Sequence, residues 1–438
     1  MEILNQLRFN YFFICIIMMA HQLGGPAMII NTLERVSGQM HVEQQSLKEL
    51  IENQKSIRVT DKDVDSVDRL IYNHSLKKGE LQKLFGLSRV TFNSRIDEAE
   101  KEGLIGEPIT NGKTKLYNRF DVAAFCEYMQ FPKYKENYSS IAIAVQNHKG
   151  GTGKSTTTAT LATATALDIN LNARCLIIDL DPQGSTGQSL VRSQSDDSIY
   201  MTAIDMALAN KEVGVFSQYL SAGYEQRDLI LKAPFQTHLP NLDVIPAFPD
   251  DERFVDLFWQ SDELEQQKLL TKLREIMNVY KDEYDFIFID TPPQNSPILW
   301  AVNEASDAIL IPVTPREYDF ASTTNYLKTL SGTLGELPSK GENIKWLKML
   351  PVNFNDKSNS EVRVFDKLLR TAGSILLSTA IEHSEAFVAT AELNRTVLDI
   401  VKSEDVCSAK QLDKALLSVS AVYKQITNEL KLISNKAV

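Results

Sequence analysis

Between Ile141 and Asn353 the apolar positions fall into short, nearly continuous runs: IAIAVQN, CLIIDLD, LDVIPA, FIFID, AILIPVT and WLKMLPVN. Apolar runs of this length, separated by stretches with helical spacing, predict strands of a parallel sheet buried on both faces. Strand and helix alternate along this part of the chain, so the expected class is α/β, an open and mostly parallel sheet flanked by helices. Upstream the pattern differs. Residues 41 to 72 place apolar positions at mixed helical spacing, as in QQSLKELIENQ and DSVDRLIYN, and predict two exposed helices. From Ser75 a capped helix is expected through Phe85, a tight turn at Gly86, and a second helix capped by Ser88 and stopped at Gly103. The following LIGEPITNGKTKLYNRF carries Asn111-Gly112 between alternating segments, a strong hairpin signal. Helix, turn, helix and hairpin together read as a winged helix-turn-helix. A helix from Asp121 to about Met129 closes it, and FPKYKENYSS reads as a linker.

The chain therefore divides into an N-terminal extension (1–40), a helical segment (41–72), a winged helix-turn-helix (73–138) and the α/β domain (139–438). The 438 residues include 46 Lys plus Arg against 57 Asp plus Glu, a net charge of −11. That balance excludes a simple polycation that coats nucleic acid, but residues 75–119 hold nine Lys or Arg against six Asp or Glu. This local reversal of charge supports a nucleic-acid face. The cysteines Cys15, Cys126, Cys175 and Cys407 are too scattered for a zinc knuckle or a disulfide framework and fit a reducing cytoplasm. The apolar run Phe9 to Ala20 is too short to span a bilayer. It has the length of a signal-peptide core, and its other readings are a packed helix or a start upstream of the true initiator, Met28 or Met40.

The chemistry is concentrated where strands end. After the first strand comes His148-Lys149-Gly150-Gly151-Thr152-Gly153-Lys154-Ser155-Thr156, continuing into the helical TTTATLATATAL. Glycines let successive N–H groups turn toward one anion, the helix start adds its dipole, Lys154 brings a mobile positive charge, and Ser155 offers a hydroxyl to Mg²⁺. The spacing departs from GxxxxGK[ST], because His148 stands where the first glycine would be. In LIIDLDPQGS, Asp179 and Asp181 end a strand, and FIFIDTPP delivers Asp290 to another strand end. Carboxylates so placed suit the holding of a Mg²⁺-bound water network and the orientation of an attacking water. Asn353, after a further strand, is a turn residue by position and carries an amide able to make a two-pronged contact.

KGGTGKST resembles the deviant Walker A motif of the ParA/MinD family of dimeric P-loop ATPases, and the resemblance extends from residue 141 to about 400. It implies ATP and Mg²⁺ as ligands, with Lys149, Gly150, Gly151, Thr152, Gly153, Lys154, Ser155, Thr156 and Asn353 at the nucleotide. It also implies that Lys149 reaches across a homodimer to the phosphates of the other subunit, that Asp181 positions the attacking water, and that Ser155, Asp179 and Asp290 serve the metal.

A winged helix-turn-helix ahead of such a domain resembles the larger, type Ia partition ATPases, in which the N-terminal helix around 41–58 is a dimer element. The expected activity is ATP hydrolysis coupled to DNA partition. The ATP-bound dimer, or a DNA-bound filament, would bind DNA without sequence preference in the nucleoid, and a ParB-type partner would stimulate hydrolysis. Candidate DNA contacts are Ser88, Arg89, Thr91, Asn93 and Arg95 on the second helix and Lys113 and Lys115 on the wing, beside Arg119. Arg363, Lys367 and Arg370 along RVFDKLLR form a further basic face, with Lys402, Lys410 and Lys414 later. Two alternatives compete: a repressor tuned by a regulatory ATPase domain, and a membrane-bound MinD-like positioning ATPase. The last helix has no basic stripe and few bulky aromatics, so core packing rather than membrane contact is expected there.

Overall fold

The computed structural model describes residues 29–42, 68–191 and 200–436. The apolar run Phe9 to Ala20 and most of the expected helical segment 41–72 lie outside the described residues. The chain divides into two compact units, residues 1–69 and 70–438. In the first, residues 29–42 form one helix whose Ile29, Ile30, Leu33, Val36 and Met40 side chains are exposed.

The second unit opens with the end of a short helix, α1 (Arg69–Asn73). Ser75 does not cap the next helix as the sequence suggested. Its hydroxyl donates back to the Ile71 carbonyl oxygen at 2.9 Å, and Leu76–Lys77 forms a short strand, β1, antiparallel to residues 116–117. Helix α2 (Lys78–Phe85) starts later, where the Glu80 carboxylate accepts the Lys77 N–H. It ends at Gly86, whose φ of 62° is left-handed. Ser88 does cap α3 (Arg89–Lys101), its Oγ accepting the Thr91 N–H. The hairpin β2 (Ile109–Asn111) and β3 (Thr114–Tyr117) turns at Asn111–Gly112, and α4 (Arg119–Tyr128) follows under an Asn118 cap. Leu81, Phe92, Ile96, Phe125 and Tyr117 form the core of this three-stranded module, with Phe85 edge-on to Phe125.

The larger sheet has seven strands in the order β10-β9-β4-β8-β5-β7-β6. Its strands are β4 (Ile141–Val145), β5 (Cys175–Asp179), β6 (Phe235–Gln236), β7 (Leu242–Ile245), β8 (Phe286–Asp290), β9 (Ala308–Val313) and β10 (Trp346–Pro351). Every pairing is parallel except β6 with β7. The six apolar runs are the six parallel strands, and the antiparallel edge strand β6 is too short to leave a pattern. Alternate residues of β4, β5 and β8 face two separate cores, one with Ile141, Ile143, Ile177 and Phe288 and one with Ala142, Ala144, Ile178 and Ile287. Helix α5 (Lys154–Leu167) packs on the first of these faces together with α12 (Ala409–Ser434), whose Val422, Ile426 and Leu430 are buried there. This is the core packing expected of the last helix. Among the described residues, no helix is long and apolar enough to cross a membrane.

The module is fastened to the sheet domain by polar bridges. Arg119 donates from Nε to the His74 carbonyl oxygen and from a terminal nitrogen to that of Leu167, at 3.0 and 3.2 Å. Burial lowers its pKa to about 10. Arg119 is thus committed to the joint, not presented beside the hairpin for DNA.

Candidate phosphate-binding site

Strand β4 delivers the backbone to a loop closed by Gly151 and Gly153, with φ of 73° and 74°. Both angles lie in the left-handed region that only glycine adopts without strain, and Gly153 is the residue from which α5 starts. The loop is braced from beneath. Asn147 Nδ2 donates to the Pro312 carbonyl oxygen at 2.8 Å, Asn147 Oδ1 accepts the Lys149 N–H, and Thr152 Oγ1 donates to the Lys149 carbonyl oxygen. Lys154, at the first position of α5, is buried, with its Nζ 3.4 Å from the Lys149 carbonyl oxygen. Burial lowers its pKa, and Asp290 and Asp181 act in the opposite sense. Such an ammonium is incompletely partnered by protein and set to receive an anion.

Parallel pairing puts Asp179 of β5 opposite Asp290 of β8. Both oxygens of Asp179 receive backbone N–H groups, from Asp181 at 3.0 Å and from Gly187 at 2.7 Å. Burial and the nearby Asp290 push its carboxyl well above the usual range. It braces the loop leading into α6 (Ser185–Leu190). Glycine is required at 187, since a Cβ there would lie 2.5 Å from the Pro246 Cα. Asp290 accepts the Thr186 hydroxyl at 2.6 Å and the Thr291 N–H at 3.1 Å. Burial lifts its pKa to about 6, against hydrogen bonds from Thr186 and Ser155 that favour the carboxylate. Asp181 lies on the half-exposed loop, where its Oδ1 accepts the Gln183 N–H.

Two cavities flank the start of α5. One, of about 640 Å³, is lined by Gly151, Gly153, Thr156, Thr314, Asn353 and His383. The other, of about 290 Å³, reaches Ser155, Thr186, Arg395 and Thr396. Asn353 sits at a φ of 53°, and its Oδ1 accepts from His383 Nδ1 at 2.7 Å. Lys149 is 40% exposed and pairs with the buried Asp319 at the start of α9 (Glu317–Glu336). Asp319, His383, Thr186 and Gly187 carried no sequence motif. Thr186 and Gly187 directly follow the DPQGS stretch that carries Asp181, whereas Asp319 and His383 come from a helix start and a loop remote in sequence and are brought in by packing.

The remaining predicted residues fall at two other places. Arg89, Thr91 and Arg95 are exposed on α3, Ser88 is used as its cap, and Asn93 is half-buried. Arg95 pairs with Glu98 and Lys115 with Glu100, whereas Lys113 is exposed at the hairpin. On α10 (Asn359–Ala372), Arg363, Lys367 and Arg370 share one face, apart from buried Val364 and Leu368, and Lys367 is paired with Glu317. Lys402 and Lys414 are also held in ion pairs.

A parallel sheet whose first strand runs through a glycine loop into a helix, with carboxylates at neighbouring strand ends, defines a P-loop nucleotide-binding class. Residues 140–337 match the family described as an AAA domain. The chain is 23% identical to plasmid partition protein A of Escherichia coli, over 81% of this chain and 89% of that one. It is 30% identical to the chromosome partitioning protein ParA of Caulobacter vibrioides (strain NA1000 / CB15N), over 44% of this chain and 64% of that one. A solved structure titled "Partition Protein" shares the fold, with a TM-score of 0.60 and 22% identity over 91% of this chain and 98% of that one.

Proposed function

We propose that the protein is a DNA-partition ATPase whose DNA affinity is set by the nucleotide it holds. The observation that carries this reading is the braced loop ending in Lys154, with Asp181 and Asp290 at adjacent strand ends and an exposed second lysine, Lys149. In this reading the N–H groups of Gly150 to Thr156 and the Lys154 ammonium bind the phosphates of ATP, and Asn353 contributes to the base side of the larger cavity. Ser155 and Asp290 hold Mg²⁺, with Asp179 acting through the loop it braces; the ion neutralises charge on the transferred phosphoryl group. Asp181 orients the attacking water, and Lys149 leaves Asp319 to meet the nucleotide of a second subunit.

The DNA contacts follow from exposure and charge. The front of α3 and Lys113 suit an operator-reading winged helix-turn-helix. Arg363 and Arg370 suit sequence-independent contact by the ATP-bound dimer or filament in the nucleoid. A ParB-type protein is the expected stimulator of hydrolysis. Coupling requires that DNA bind one nucleotide state better, since equal affinities shift nothing. Autoregulatory repression through α3 is compatible with the same chain.

The decisive experiment is binding to random-sequence duplex at fixed salt with non-hydrolysable ATP, ADP or no nucleotide, for wild type and Lys154→Ala. Binding that appears with the ATP analogue and vanishes in Lys154→Ala is the expected result. Equal weak binding in all states would overturn partition and leave a repressor with a regulatory nucleotide domain.

A further inference from the structure

Away from the phosphate loop, three metal-ligating side chains from distant parts of the chain meet in the interior. His74 directly follows α1, His238 lies between β6 and β7, and Asp399 lies between α11 (Glu385–Glu392) and α12. All three are buried, and their ligating atoms lie within 4.8 Å of one another. The Nε2 atoms of His74 and His238 stand 2.8 and 2.9 Å from the same oxygen, Asp399 Oδ1. The two rings stack with centroids 5.4 Å apart.

We infer that His74, His238 and Asp399 form a site for one divalent transition-metal ion, with Zn²⁺ the best match. Two imidazole nitrogens and one carboxylate oxygen suit zinc, whereas Mg²⁺ and Ca²⁺ prefer oxygen donors throughout. With metal–ligand bonds of about 2.0–2.1 Å, tetrahedral geometry places donors roughly 3.3–3.4 Å apart. The two nitrogen–oxygen contacts need to open by about half an ångström, and the two imidazole nitrogens, which lie within 4.8 Å of each other, need to settle at the same spacing of about 3.3–3.4 Å.

The surroundings are those a bound carboxylate requires. Asp399 Oδ2 accepts both the N–H and the hydroxyl of Thr396, each at 2.7 Å, which fixes the orientation of Oδ1. Three protein donors leave a fourth position for water. Beside the site, Asn73 Nδ2 donates to the Asp399 carbonyl oxygen at 2.9 Å, while Asn73 Oδ1 is buried with no hydrogen-bond partner. A metal-bound water is a donor that satisfies such an acceptor.

The proton account closes. Without metal, Oδ1 takes both Nε2–H groups. Coordination needs both Nε2 atoms unprotonated, so a neutral imidazole carries its proton on Nδ1 instead and an imidazolium releases one to solvent. Hydrogen bonds and metal are therefore alternative uses of the same three atoms. With metal bound, the residue that leads into the three-stranded module is stapled to the segment that lines the cavity beside Ser155, through Arg395 and Thr396. This inference stands apart from the partition reading.

The test uses tag-free, full-length protein stripped with chelator, dialysed, and titrated with Co²⁺ in excess Mg²⁺, which occupies hard-cation sites. The expected result is the visible d–d spectrum of a low-symmetry Co²⁺ site saturating at about one ion per chain. Zn²⁺ should displace it and raise the melting temperature. His238→Gln and Asp399→Asn should each weaken Co²⁺ binding by at least about tenfold, and Asp290→Asn should leave the spectrum intact. Wild-type protein that gives no such spectrum and no zinc-dependent melting shift would overturn the site, whatever the variants' folding. So would a spectrum that survives in both ligand variants.

Discussion

Asp290 shows how a single residue sets fold stability against chemistry. Its carboxyl titrates near 6 in the fold because burial disfavours the charge, whereas an unfolded chain would titrate it near the ordinary aspartate value, about 3.9. Folding therefore takes up a proton between these values, and the stability lost to this residue grows as pH rises through that window and stays lost above it. The difference corresponds to about 2 to 3 kcal/mol at neutral pH. Asn fits the same contacts, its carbonyl accepting the Thr291 N–H and its amide donating to the Thr186 hydroxyl. Asp290→Asn is accordingly expected to melt higher than wild type without nucleotide at pH 7.5, with a smaller gain at pH 5, and to lose Mg²⁺-dependent ATP hydrolysis. Calorimetry at the two pH values and a phosphate-release assay check both halves. Lys154, Asp181 and Asp290 were legible in the sequence because each stands at a fixed offset from a strand or a glycine turn. His383 and Asp319 were not, since neither lies in a local motif and their positions depend on how α9, α11 and β10 pack.

At the scale of elements, continuous apolar runs made the six parallel strands readable, and Ser88 and Asn111–Gly112 marked a helix start and a hairpin by local chemistry. Where a tertiary contact competed, the local signal failed. Ser75 has the chemistry of a cap, yet pairing of Leu76 with Tyr117 draws the chain into a strand and delays α2 to Lys78. Arg119 looked like a wing residue by sequence neighbourhood, and its side chain instead reaches two carbonyl oxygens across the joint. The basic residues that stay free of protein carboxylates should carry most of the DNA effect. Lys113→Ala is expected to weaken operator-containing duplex binding several-fold and to reduce the salt slope by about one. The pair Arg363→Ala and Arg370→Ala should lower ATP-dependent binding to random duplex while leaving nucleotide affinity unchanged. Salt-titrated anisotropy together with a nucleotide-binding assay separates these outcomes, and equal losses on both DNAs from either change would undo the division of labour between the hairpin and α10.

For the whole molecule the question is what lets a nucleotide at the ends of the central strands β4, β5 and β8 be felt by the three-stranded module. Arg119 offers a direct answer, because one guanidinium holds the backbone at His74 on one side and at Leu167, the last residue of α5, on the other. Helix α5 is the same helix whose first residue is Lys154, so a shift at the phosphate loop has a rigid path of one helix to this joint. Removing the side chain leaves two carbonyl oxygens without their charged donor, a loss of about 1.5 to 3 kcal/mol per such bond, offset in part by the cost of burying the charge. Arg119→Ala should therefore loosen the module without unfolding the sheet domain: hydrogen exchange should speed up in β3 and α4 and stay unchanged in β4 and β8. Nucleotide binding should persist, while the difference in operator affinity between ADP and ATP-analogue states should shrink toward zero. Unchanged exchange together with an unchanged nucleotide effect would place the coupling elsewhere. Faster exchange with the nucleotide effect intact would make Arg119 a fastener of the module and not a conduit between the two sites.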